Sequence, residues 1–120
     1  MRKLFYVTVL VMVLIFLKNF AQAKDVYVGV YPASGLNAYL LTETVNITGR
    51  NPIGPVFNCT IRAGSSYYID YKFFVIGSMV NGVDSRRTCY KNSDGYSGYV
   101  FDGNSPVEAQ VYRYVRNNWR

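Results

Sequence analysis

Residues 105–120, SPVEAQVYRYVRNNWR, can be read with two periods, and the choice decides whether the fold is all β. Ser105-Pro106-Val107-Glu108 has the form of a helix start: a hydroxyl residue at the cap, then proline, then glutamate in the first turn. On that period Val107, Val111, Tyr114 and Val115 share a face. Arg113, Arg116 and Arg120 then gather near the C-terminal end, where the helix dipole favours cations. On a period of two, Val107, Ala109, Val111 and Val115 align instead. VYRYV is β-branched and aromatic, which makes it poor helix material and good strand material. The expectation is a C-terminal strand, with a short C-terminal helix as the alternative.

The preceding stretch, NSDGYSGYVFDGN at 92–104, carries Asp94-Gly95 and Asp102-Gly103 as tight turns on either side of a short apolar run. A calcium loop would need acids at alternate positions and a closing bidentate glutamate. Here the spacing breaks at Tyr96, so neither a metal nor a cofactor is expected.

Further upstream the composition is that of a β protein, with turn residues recurring between runs rich in Val, Ile, Tyr, Phe and Thr. Val26, Val28 and Val30 alternate with Tyr27, Gly29 and Tyr31. Residues 39–48 place Tyr39, Leu41, Val45 and Ile47 on one face, with Glu43 interrupting it as an edge strand would allow. Phe57, Cys59 and Ile61 share a face in the next run. The longest candidate, residues 67–80, aligns Tyr67, Ile69, Tyr71, Phe73 and Val75. Asn81-Gly82 between Val80 and Val83 is a type I′ hairpin signal. The fold expected is a small antiparallel β-sandwich or barrel of about six strands.

Arg2 and Lys3, the uncharged run 4–17 and Ala21-Gln22-Ala23 form a secretory leader with cleavage after Ala23. The run is shorter than the roughly 20 residues a membrane span needs. Residues 1–23 are thus read as a signal peptide and residues 24–120 as one secreted β domain, extracellular or periplasmic, with no transmembrane span after cleavage. Cleavage removes three of the thirteen basic residues and none of the seven acids, leaving a net charge of about +3. That balance suits an anionic surface or acidic partner and falls short of the basic stripe of a nucleic-acid binder. Cys59 and Cys89 are the two cysteines, and export makes one disulfide between them the expectation.

No histidine is present, which removes most hydrolase and nuclease arrangements. Paired carboxylates, Asp70 with Glu43 or Asp94 with Asp102, would be left for a small hydrolase, and a domain this small seldom forms the cleft they need. Tyrosine is the distinctive residue, and its flat ring and hydroxyl suit sugars and protein hot spots. Tyr27, Tyr31, Tyr68, Tyr90, Tyr96 and Tyr99 are expected at the surface. The candidate binding residues are Tyr90, Tyr96, Tyr99, Arg86, Arg87, Arg113, Arg116 and Trp119, and Asn46 and Asn58 stand in glycosylation sequons.

In general build the chain resembles several unrelated groups of small secreted β proteins, among them toxin receptor-binding subunits and single-disulfide microbial effectors. The likeness is one of architecture, which does not fix function. The expected role is non-enzymatic binding of a cell-surface glycan or protein. The alternative is a coat protein adhering to an anionic envelope, and exposed sheet edges would permit a homo-oligomer.

Overall fold

The computed structural model describes residues 24–119; the stretch expected to be a leader, residues 1–23, and Arg120 lie outside the described residues. Strands β1 (Asp25–Val30), β2 (Asn37–Asn51), β3 (Gly54–Ala63), β4 (Tyr67–Ile76), β7 (Arg87–Asn92) and β8 (Ser97–Tyr99) form one antiparallel sheet in that order. Between β4 and β7 the chain makes a separate hairpin, β5 (Met79–Val80) and β6 (Val83–Asp84). The sheet curls into a half-barrel, and helix α1 (Pro106–Asn118) fills its concave side.

The helix is the main correction to the sequence reading, which favoured a strand here. Val107, Val111 and Val115 are spaced four apart and wholly buried with Tyr112. They pack into one cluster with Leu40, Phe57, Ile61 and Phe73 of the sheet. Burial of this apolar face outweighs the weak intrinsic propensity of VYRYV, as tertiary packing commonly does. Pro106 opens the first turn, and the Ala109 amide bonds the Ser105 carbonyl at 2.9 Å. The Ser105 side chain makes no cap and instead donates to the Tyr90 hydroxyl at 3.4 Å.

The expected disulfide is absent, and the strand register explains why. Cys59 on β3 stands opposite Tyr71 of β4, while Cys89 on β7 stands opposite Phe74. One strand therefore separates them, about 9–10 Å across the sheet, and three residues of offset add about 10 Å along it. Their side chains also leave opposite faces: Cys59 points with Phe73 into the core, and Cys89 with Phe74 onto the convex side. A disulfide needs Cα atoms within about 7 Å. Both cysteines are free and buried, and burial pushes both thiols up in pKa.

Two bulges shift the faces expected from simple alternation. In β2 the pairing with β3 slips between Leu41 and Asn46. Ala38 and Leu40 face the core before the slip, whereas Val45 and Ile47 pack against it afterwards. Thr44 holds the bulge: its hydroxyl donates to the Leu41 carbonyl at 2.6 Å and accepts from the Thr60 amide at 2.8 Å. In β1 Val26 and Val28 face inward as alternation expects, and the slip between Tyr27 and Gly29 then leaves Val30 exposed and returns Tyr31 to the core edge.

The long strand expected over 67–80 breaks at Gly77. A side chain there would meet the Ser85 carbonyl oxygen at 2.3 Å, and the residue takes a left-handed φ of 86°. Beyond the break, Asn81 and Gly82 adopt φ of 52° and 78°, the two positive values a type I′ turn requires.

Candidate functional site

The concave face stays open near the start of α1. There a cavity of about 450 Å³ lies between the loop after β1, strand β4, the β7–β8 turn and the start of α1. That volume falls within the range of small-molecule sites. Five tyrosines line it: Tyr31, Tyr67, Tyr71, Tyr90 and Tyr96. Tyr71 and Tyr90 form the buried wall with their rings 5.8 Å apart, while Tyr67 and Tyr96 are the exposed rim. Asn92, Asn104, Asp94 and Glu108 add the polar groups.

A chain of hydroxyls organises the wall. Tyr71 donates to Glu108 Oε1 at 3.0 Å, so the Tyr31 hydroxyl, 2.9 Å away, donates to Tyr71. At the rim Tyr67 donates to Asp94 Oδ1 at 2.8 Å. Burial holds the Tyr31, Tyr71 and Tyr90 phenols above their ordinary pKa, and the hydrogen bond to Asp94 does the same for Tyr67. All four therefore remain neutral donors at physiological pH.

The turn chemistry at 92–96 positions this rim. Asn92 Oδ1 accepts from the amides of Asp94 and Tyr96, at 3.1 and 3.0 Å, which fixes the loop that carries both side chains. The loop after β1 is closed by the Tyr31–Leu36 and Gly35–Tyr31 backbone bonds.

The sequence-named residues divide between two places. Tyr96 is exposed as expected and lines this cavity; Tyr90 lines it too, but buried at 9 % exposure, not at the surface. Tyr99, Arg86, Arg87 and Arg116 meet instead at a second cavity of about 380 Å³ with Thr88, Phe101 and Tyr112. Arg86 is already held by Asp84 through Nε at 2.9 Å and Nη2 at 3.0 Å. Arg116 lies over Tyr112, and Arg113 lies 5.3 Å over Phe101. The Tyr112 hydroxyl is wholly buried and has no hydrogen-bond partner among the described residues. Trp119 belongs to neither cavity; it packs edge-on against Tyr114, and its carbonyl accepts from Arg50.

The convex face carries a further row, Tyr27, Tyr39, Arg62 and Tyr68, in register across four strands. Arg62 lies 4.8 Å over the Tyr39 ring and is ion-paired with Asp25. Asn46 and Asn58 are opposite one another on this face and both exposed. The carboxylates paired in the sequence reading do not share a cavity: Asp94 lines the tyrosine cavity and Asp102 the arginine one, while Asp70 lines a third, of about 630 Å³, that Glu43 does not.

Sequence reasoning missed Tyr31, Tyr67, Tyr71, Asp94, Asn104 and Glu108 as neighbours. Glu108 was legible only as a helix-start residue, and its approach to Tyr71 depends on how α1 docks. Protein-family models, curated proteins and solved structures were all compared with this chain, and none matches. Among the described residues no helix is long and apolar enough to cross a membrane.

Proposed function

We propose that this is a secreted, non-enzymatic binding protein that takes a surface glycan, or a small part of one, in its tyrosine-lined cavity. The observation that carries the reading is the convergence of five tyrosines with two amides and two carboxylates around one open pocket. Sugar rings lie against aromatic faces while their hydroxyls exchange hydrogen bonds with such groups. Tyr71, Tyr31 and Glu108 are already bonded to one another, which preorganises the wall and lowers the ordering cost of binding.

A glycan array tests this directly. Saturable retention is expected for the intact protein, with loss in Tyr96→Ala, whose ring stands at the rim. Tyr99→Ala, outside the cavity, retains binding. Retention that ignores Tyr96 but falls with Tyr99 would move the site elsewhere.

The second reading, adhesion to an anionic envelope, is favoured by the meeting of Arg86, Arg87 and Arg116 at the other cavity. Such adhesion would weaken steeply with salt, because exposed charges are screened over about 8–10 Å at physiological ionic strength. Capture of an uncharged glycan at the tyrosines would not.

A further inference from the structure

The tyrosine cavity has an electrostatic signature opposite to that of the whole chain. The protein is basic, yet the cavity is lined by two carboxylates, Asp94 and Glu108, and by no Lys or Arg. Glu108 is 7 % exposed. Among the described residues it makes no ion pair, and its side-chain hydrogen bond is the one from Tyr71. A buried carboxylate is ordinarily paired with a cation. Its place in the first turn of α1 gives partial compensation from the helix dipole. The rest of its charge faces the open pocket. Asp94 meets Tyr67 at the rim and likewise has no basic neighbour within salt-bridge distance among the described residues. Around both carboxylates stand tyrosine rings, whose negative faces attract cations.

Resting on the binding role proposed above, we infer that the ligand of this cavity presents an organic ammonium group, held between Glu108 and Asp94 and faced by the tyrosine rings. An unacetylated amino sugar of a glycan and a free small amine both carry that group. It would supply the counter-charge that Glu108 lacks, and the tyrosines would replace part of its hydration. Neutral or anionic sugars offer no such compensation.

The test is titration of the purified protein, followed by intrinsic tyrosine and tryptophan fluorescence and by calorimetry, with glucosamine, N-acetylglucosamine and choline. Glucosamine is expected to bind saturably and N-acetylglucosamine about ten-fold or more weakly, because acetylation removes the charge and leaves the ring. Choline binding as tightly as glucosamine would show that the cation alone is recognised; choline binding weakly would show that the N–H donors or the sugar ring are needed as well. Asp94→Asn is exposed and should fold normally, and it should weaken glucosamine binding by a larger factor than N-acetylglucosamine binding. Glu108→Gln should do the same more strongly, with circular dichroism confirming the fold. Equal binding of glucosamine and N-acetylglucosamine, insensitive to Asp94→Asn, would overturn the ammonium inference while leaving the glycan reading intact. Failure of all three probes alongside a positive glycan array would do likewise. Failure of the probes with a blank array would overturn both.

Discussion

Reducing agent should leave the stability of this protein unchanged, although its two cysteines invite the opposite expectation. A cross-link closing the loop from Cys59 to Cys89 would add about 3–4 kcal/mol on the chain-entropy view. For a domain near this size, where urea acts with a slope of roughly 1–1.5 kcal/mol per molar, its reduction would lower the unfolding midpoint by about 2–4 M. The register forbids the bond: β4 lies between the two strands, the thiols are offset by three residues, and they leave opposite faces of the sheet. Urea curves with and without dithiothreitol should therefore coincide, and the intact mass should gain no hydrogens on reduction. Both thiols are nearly inaccessible, at 3 % and 6 % exposure, with pKa values raised by burial. Iodoacetamide should thus label them only after denaturation, even in protein recovered from an oxidising compartment. A midpoint that falls by molar amounts on reduction would refute the pairing of β3, β4 and β7, and with it the placement of the tyrosine cavity.

Four further outcomes follow from particular contacts. Tyr112→Phe deletes a buried, unpartnered hydroxyl and should leave urea stability unchanged or raise it by about 1 kcal/mol. Gly54→Ala would drive a methyl to 2.1 Å from that hydroxyl oxygen; it should cost about 1–3 kcal/mol, only part of it recovered in the double variant with Tyr112→Phe, because the ring carbon Cζ stays 3.1 Å away. Hydrogen bonds from Arg86 hold the Asp84 carboxyl down at about 2, so whatever it adds to stability is present above the ordinary carboxylate range and lost as pH falls through that value. Carboxyl-carbon NMR should show Asp84 titrating near pH 2 and moving upward in Arg86→Ala. If both sequons are used, steric crowding between Asn46 and Asn58, paired across β2 and β3, should favour glycoforms carrying one chain over two, read by intact mass.

Much of the sheet was legible in the sequence because its signals are local. The aligned run from Tyr67 to Val75, the Phe57-Cys59-Ile61 face and the Asn81-Gly82 turn all hold in the fold. What escaped was set by distant parts of the chain. VYRYV becomes helix because the concave face of the sheet needs an apolar cover, which no local propensity records. The bulges at Gly29 and Thr44 change which side chains face inward, and a single slip of register inverts every assignment beyond it. The same blindness split the candidate site. Tyr96 and Tyr99 are close in sequence, yet β8 carries Tyr99 to the cavity of Arg86, Arg87 and Arg116, while the turn before it carries Tyr96 to the tyrosine cavity.

The most direct test of the tyrosine cavity as the binding site is amide chemical-shift mapping of the isotopically labelled protein, titrated with the strongest hit from the glycan array. Shifts should concentrate at residues 31–36, 67–71, 90–96 and 104–108. Shifts confined to the Tyr27-Tyr39-Arg62-Tyr68 row, or to Arg86, Arg87 and Arg116, would show that the ligand binds elsewhere.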